Sequence, residues 1–227
     1  MYDLYIANKN YSSWSLRPWV LMRELEIEFR EHLVPFEHES SWQSYRRISP
    51  TGKVPCLVDG DIVVWESLAI VEYLAERHHV VWPAERRARA WARSAAAEMH
   101  SGFSELRNRC SMSCGQRIRL NEFPEALERD IARVAALWND GLDRFGGSFL
   151  AGEAFTAVDA FYAPVAFRIQ TFGLSLDPKP AAYARRLLAT RAMREWYADA
   201  LAEKLRDKAH EDELSQAGEI LEDLRSA

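Results

Sequence analysis

Cysteine is scarce in this sequence. Three occur in 227 residues, Cys56, Cys110 and Cys114. An odd number with no framework of pairs excludes a small disulfide-stapled module and suits a reducing compartment. No histidine joins Cys110 and Cys114 in a zinc-ligand spacing, so no metal site is expected. A cationic surplus is lacking too. Lysine and arginine number 29 against 34 aspartates and glutamates, a net charge of −5, which argues against nucleic acid or an anionic membrane as partner. No apolar run approaches the roughly 18 residues of a membrane span. The start, Met1 to Ala7, has neither a basic leader nor a long apolar region. Repeats and low-complexity segments are absent. The expectation is a cytoplasmic protein with no metal, no nucleic acid and no membrane.

What is present is the balance of a chain able to bury a core: 48% hydrophobic and 28% charged residues. Its length fits one large domain or two modest ones, and alanine points to two. Residues 1–80 hold three alanines, Ala7, Ala69 and Ala75, while the other 147 hold 28. Alanine is the best helix former, so residues 86–206 are expected to be all-helical. Helices are placed near Glu85–Cys114, Pro124–Phe145, Ala157–Phe172, Ala181–Leu188 and Arg191–Arg206. Residues 1–80 alternate instead. Tyr2–Ala7 reads as a strand and Trp14–Ile27 as a helix with Leu16, Val20, Leu21 and Leu25 on one side. Phe29–Val34 is a second strand. Cys56–Val58 and Ile62–Trp65 flank the turn Asp59-Gly60-Asp61, and Glu66–Arg77 closes the unit as a helix. The order is β-α-β-α-β-β-α, an α+β unit. His78–Arg86 links the two parts, and residues 207–227 form an acidic tail, expected to be a last surface helix anchored by Leu214, Leu221 and Leu224.

Three motifs carry chemistry. Tyr11-Ser12-Ser13-Trp14-Ser15-Leu16-Arg17-Pro18 stands at the strand-to-helix junction. Its serines can cap the helix, or with the free amides they can stabilise an anion above the helix end. A thiol placed there typically falls from a pKa of about 8.5 into the range ~3.5–7.5. The second motif, Lys53-Val54-Pro55-Cys56, has proline at the start of a strand, where a missing donor must be tolerated. The third is Glu66-Ser67, a hydroxyl and free amides at a helix start beside a carboxylate. Such a pair can grip both charges of an α-amino acid. Each motif alone also reads as ordinary capping or turn structure.

In this order and spacing the set resembles the cytosolic glutathione transferases, specifically the serine-type zeta and theta-like bacterial members. The resemblance rests on Ser12 to Arg17, Lys53-Val54-Pro55, Asp59-Gly60, Glu66 to Leu74, and Phe155-Thr156-Ala157-Val158-Asp159-Ala160. In the last of these, Thr156 and Asp159 form a capping box. It covers residues 1 to about 205. It implies a thioredoxin-like N-terminal domain over 1–80, an all-helical domain over 86–206, and a homodimer. The implied chemistry is glutathione conjugation, isomerisation or peroxide reduction, with glutathione as cosubstrate. Ser12 would donate to the glutathione thiolate, or Ser13 if the count runs back from Arg17. Val54 would pair with the cysteinyl unit beside a cis Pro55. Glu66 and Ser67 would hold the γ-glutamyl end, and Lys53 would reach a carboxylate. Trp42 and Arg46 stand in the segment that often meets the glycyl end. Tyr11, Phe103, Met112, Phe167 and Arg168 would line the pocket of a small electrophile.

Two positions depart from the zeta pattern and count against maleylacetoacetate isomerisation. Trp14 stands where those isomerases carry a cysteine, and Thr171 where they carry a substrate arginine. A non-catalytic binding or regulatory protein on the same fold is the alternative reading, disfavoured by the retained serines and Glu-Ser pair. The energetics suit a serine site. Lowering a thiol pKa by two units takes about 2.7 kcal/mol. A hydroxyl hydrogen bond to a charged acceptor contributes about 1.5–3 kcal/mol, and a helix end about 0.3–1 kcal/mol.

Overall fold

The computed structural model describes residues 1–36 and 45–226. The first half is a four-stranded sheet. Strand β1 (Tyr2–Ile6) is followed by helix α1 (Ser13–Glu24), β2 (Phe29–Leu33), β3 (Cys56–Asp59), β4 (Ile62–Trp65) and helix α2 (Ser67–Ala75). The strand order is β2-β1-β3-β4. β1 runs parallel to β2 and antiparallel to β3, and β3 and β4 form a hairpin in which Asp59 faces Ile62. Gly60 turns that hairpin with φ at 64°, a conformation glycine adopts without strain. A helix is also expected between β2 and β3; residues 37–44 of that stretch, Trp42 among them, lie outside the described residues.

The second half is helical: α3 (Arg86–Ser101), α4 (Ser104–Arg109), α5 (Glu125–Phe145), α6 (Ala157–Phe172), α7 (Pro178–Leu188) and α8 (Arg191–Ala202). The expected single helix Glu85–Cys114 is two. Its chain breaks at Gly102, in extended backbone, and at Phe103, whose φ of 58° is left-handed. α4 is then capped from outside, because Asp130 accepts the Leu106 amide at 3.0 Å. Cys110 and Cys114 consequently lie beyond the helix, not on one of its faces. α6 runs through the core, buried along nearly its whole length. The Thr156–Asp159 capping box is present at its start, and the Asp159 carboxylate also accepts from the Leu150 amide and the Tyr183 hydroxyl.

The tail differs from expectation. It is helical only over α9 (Lys208–Ala217), then continues as strand β6 (Gly218–Asp223). β6 pairs antiparallel with β5 (Gln116–Leu120), a strand inside the helical half that alanine content gave no reason to expect. Leu214 is buried as an anchor, whereas Leu221 and Leu224 are exposed. The alternation that would mark an amphipathic helix is replaced by backbone pairing with β5. Among the described residues no helix is long and apolar enough to cross a membrane.

The two halves share one core, and their contact fixes the loop after β1. α1 packs on α6 and α8, with Trp19 edge-on to Trp196 at 5.0 Å. Lys9, nearly buried, pairs with Glu31 at 2.9 Å and Asp199 at 2.7 Å. Its carbonyl accepts from the Trp196 indole, and its amide donates to Glu203. A loop tied this way on both sides presents the next residues, Tyr11 to Ser13, in a fixed place.

Candidate active site

At the C-terminal end of β1 the chain turns into α1, and a cleft of about 570 Å³ opens between this turn and the helical half. Tyr11, Ser12, Ser13 and Trp14 line it from one side, Lys53 and Val54 from the next loop, and Met112 and Arg168 from the helical half. A smaller cleft of about 300 Å³ adjoins it, lined by Trp14, Lys53, Val54, Pro55, Glu66 and Arg107. The two share Trp14, Lys53, Val54 and Arg107. Residues of all three motifs, spread from Tyr11 to Glu66 in the sequence, thus line two adjoining clefts. The Val54–Pro55 peptide bond is cis.

The two serines differ in their engagements. Ser12, at the N-cap, donates from Oγ to Ser15 Oγ at 2.7 Å, and Ser15 in turn accepts the Ala7 amide. Ser13, in the first turn of α1, accepts at Oγ from the Arg168 guanidinium at 3.4 Å. A hydroxyl that accepts from a cation keeps its own proton for another acceptor.

Glu66 and Ser67 form the entry to α2. Glu66 takes a φ of 73°, a costly backbone for a residue with a side chain and one that clusters at ligand sites. The Ser67 hydroxyl is fully buried with no hydrogen-bond partner among the described residues. An orphaned buried hydroxyl at a helix N-terminus fits an incoming carboxylate. His100 reaches toward Glu66, at 3.9 Å. Burial, then the nearby Arg17, holds its imidazole below the ordinary value.

Positive charge is concentrated around Trp14. The Arg17 guanidinium lies 4.0 Å from the indole centroid and that of Arg107 lies 4.5 Å from it. Arg168 is buried nearby and donates to the Cys110 and Arg107 carbonyls as well as to Ser13. Burial, reinforced by Arg107 and Arg168, brings Arg17 down to about 9. Burial, with Arg107, brings Arg168 to about 10. Arg17 Nε and Nη1 and Arg168 Nε are buried without partners among the described residues. Repelling cations with unused donors are stabilised by an anion.

The protein's own thiols are not that anion. All three cysteines are free and buried. Burial pushes Cys56 up to about 11 and Cys110 to about 12, and raises Cys114 further.

The sequence-expected residues are partly brought together here. Tyr11, Met112 and Arg168 line the larger cleft, but Phe103 and Phe167 do not. Phe103 is consumed by the α3–α4 break, and Phe167 packs against Tyr197 in the core. Thr171 is buried, donating to the Ser113 carbonyl. Arg46 donates to the Pro50 carbonyl at 3.4 Å and is not among the cleft residues. Arg107 and His210 were missed. Arg107 had no motif around it, and His210 lies in the tail, beyond the resemblance.

Residues 11–77 match the family model of the glutathione S-transferase N-terminal domain. The chain is 26% identical over 179 residues to a probable maleylacetoacetate isomerase of Caenorhabditis elegans, covering 78% of this chain and 83% of that one. It is 28% identical over 167 residues to a zeta class glutathione S-transferase of Euphorbia esula, covering 71% and 72%. A glutathione transferase homologue from Burkholderia GL BGR1, solved with bound glutathione, superposes with a TM-score of 0.66 at 24% identity over 88% of this chain and 97% of the other. The chain is thus similar to the glutathione transferases, through the N-terminal domain model over residues 11–77 and through relatives along most of its length. Its sequence relatives include a zeta class glutathione S-transferase, and its fold is the glutathione transferase fold. Trp14, the departure from the zeta pattern, is the residue on which this chain stacks two arginines.

Proposed function

We propose that the protein is a glutathione transferase that binds glutathione across both clefts and activates it as a thiolate at the start of α1. The observation carrying this reading is the meeting of Ser12 and Ser13, the Val54–Pro55 edge and Glu66, next to the buried Ser67 hydroxyl, around two adjoining cation-rich clefts. Glu66 and Ser67 would receive the amino and carboxyl groups of the γ-glutamyl end. The Val54 backbone would pair with the cysteinyl unit, and Lys53 would meet a carboxylate. The hydrogen-bond pattern favours Ser13 as the hydroxyl facing sulfur, because Ser12 is turned to Ser15. The Arg17, Arg107 and Arg168 field adds to the hydroxyl and helix end, lowering the thiol pKa further.

The remainder of the reaction is proximity. Thiolate and a small electrophile held in one cleft react as an intramolecular pair. A peroxide would meet the same thiolate, so peroxidase activity belongs to the same reading. With Trp14 and Thr171 at the departing positions, we place conjugation ahead of isomerisation. Residues 1–80 would be the glutathione-binding domain and residues 86–206 the domain completing the electrophile site, in a cytoplasmic homodimer. Ile62, Val63 and Trp65, apolar and partly exposed on the edge strand β4, support pairing of two copies.

Retention on immobilised glutathione and conjugation of chlorodinitrobenzene test the proposal. A wild-type protein that does neither overturns it.

A further inference from the structure

The residues just before the serine turn are held mainly by the other half of the molecule. Asn10 is fully buried, and its backbone and side-chain polar groups are all engaged there. Its amide donates to Glu203 and its carbonyl accepts the Cys114 amide, each at 3.2 Å. Its Nδ2 donates to Ser113 Oγ at 3.3 Å, and its Oδ1 accepts the Gly115 amide at 3.0 Å. Ser113 is in turn tied to α6, because its carbonyl accepts from Thr171.

Glu203 stands at the C-terminal cap of α8. Its two carboxylate oxygens take the successive amides of Lys9 and Asn10, at 2.7 and 3.2 Å. Successive amides turned toward one anion make a concave donor site, and here the second half of the chain supplies the anion. Lys9 and Arg206 place positive charge beside the carboxylate. The Asn8 carbonyl then accepts the Tyr11 and Ser12 amides at 3.2 and 2.9 Å. The backbone is therefore bonded all the way from this clamp to the N-cap of α1.

The clamp holds a contact that has no slack. Arg168, one turn before Thr171 on α6, reaches Ser13 Oγ at 3.4 Å, the long limit of a hydrogen bond. A retreat of the serine turn by about 0.2 Å takes the pair past that limit. Displacements of this size, made far from the reacting atoms, are felt in the chemistry.

We propose that Glu203 is a positioning residue for thiol activation: through the Lys9 and Asn10 amides it sets the Arg168–Ser13 contact. The inference rests on the glutathione transferase reading above. Glu203→Gln keeps the size of the side chain but turns an amide NH2 toward one of the two backbone donors. The loop must then move to escape a donor facing a donor.

The test titrates the thiolate absorbance of bound glutathione in wild type, Glu203→Gln, Arg168→Met and the double variant. Glu203→Gln is expected to raise the thiol pKa by about one unit, so that kcat for chlorodinitrobenzene falls about tenfold below pH 6. KM for glutathione, whose binding is assigned to Val54, Glu66 and Ser67, stays within about twofold. The double variant titrates with Arg168→Met alone, because both changes remove one contact. Glu203→Asp, whose carboxylate stops one methylene short, raises the pKa by about half a unit and decides the matter if Glu203→Gln does not fold. A variant that melts earlier but keeps the wild-type thiol pKa makes Glu203 merely structural and overturns the proposal. Shifts that add in the double variant overturn it too. A wild type whose bound thiol titrates like free glutathione removes the glutathione transferase reading as well.

Discussion

Arg168, on α6, donates to Ser13 Oγ across 3.4 Å, so a helix of the second half reaches the first turn of α1. The contact joins a cation, a hydroxyl and a helix N-terminus at one point. Arg168→Met removes the charge and keeps much of the side-chain volume. The thiol pKa of bound glutathione is expected to rise by about one unit, about 1.4 kcal/mol of lost thiolate preference. Ultraviolet thiolate absorbance against pH reads it directly. An unchanged pKa would remove the arginine from the activation.

Ser67 offers a test in which binding and stability separate. Its hydroxyl is buried and unpaired in the free protein, so Ser67→Ala removes an unsatisfied group rather than a bond. The melting temperature is expected to hold or rise slightly. Glutathione affinity is expected to weaken about tenfold, the equivalent of about 1.4 kcal/mol. Calorimetric titration and thermal melting on the same samples decide it, and loss of stability would contradict the assignment.

The tail clasp has a pH signature. Burial lifts the Glu211 carboxyl, but hydrogen bonds from Arg225 and Tyr11 outweigh it and leave the group below its ordinary 4.5. Arg225 likewise lowers Asp223. Groups with depressed values stabilise the docked tail above their undocked values, and that stabilisation is lost as the pH falls through the depressed ones. The melting-temperature difference between wild type and Arg225→Ala is therefore expected to be largest near neutrality and to shrink below about pH 4. A difference that is flat with pH would separate Arg225 from its carboxylates.

Asp159 is a structural counterpart. Its buried carboxylate accepts from the Leu150 and Thr156 amides and the Tyr183 hydroxyl. In Asp159→Asn an amide group must face one of these donors. A destabilisation of about 3 kcal/mol is expected, the scale of one or two buried groups left unpaired. Denaturant unfolding measures it, and a change under about 0.5 kcal/mol would contradict the role.

Much of this architecture was legible because local signals and tertiary demands agree. The hydrophobic spacing of α1, the Asp59-Gly60 turn and the Thr156–Asp159 box appear where sequence places them. The break at Gly102 and Phe103 was not legible. Residues on both sides favour helix, and the interruption depends on a cap from Asp130 on another element. β5 and β6 were hidden for a similar reason, since each is a strand only through its partner. In the site, serines, proline and the Glu-Ser pair carry local signatures. Arg107 and His210 do not, because their place depends on helices folding over the cleft. Phe103 and Phe167 show the converse, aromatic residues in a promising stretch that pack elsewhere.

The central claim is that bound glutathione is held as a thiolate by the α1 turn, with Ser13 facing the sulfur. The most direct measurement is the pH titration of thiolate absorbance for glutathione bound to wild type, Ser12→Ala and Ser13→Ala. Wild type is expected to titrate at about 6.5, within the range of activated thiols. Ser13→Ala is expected to rise by about 1.5 units, and Ser12→Ala by less. A bound thiol that titrates like free glutathione in wild type, or is indifferent to both substitutions, would contradict the account.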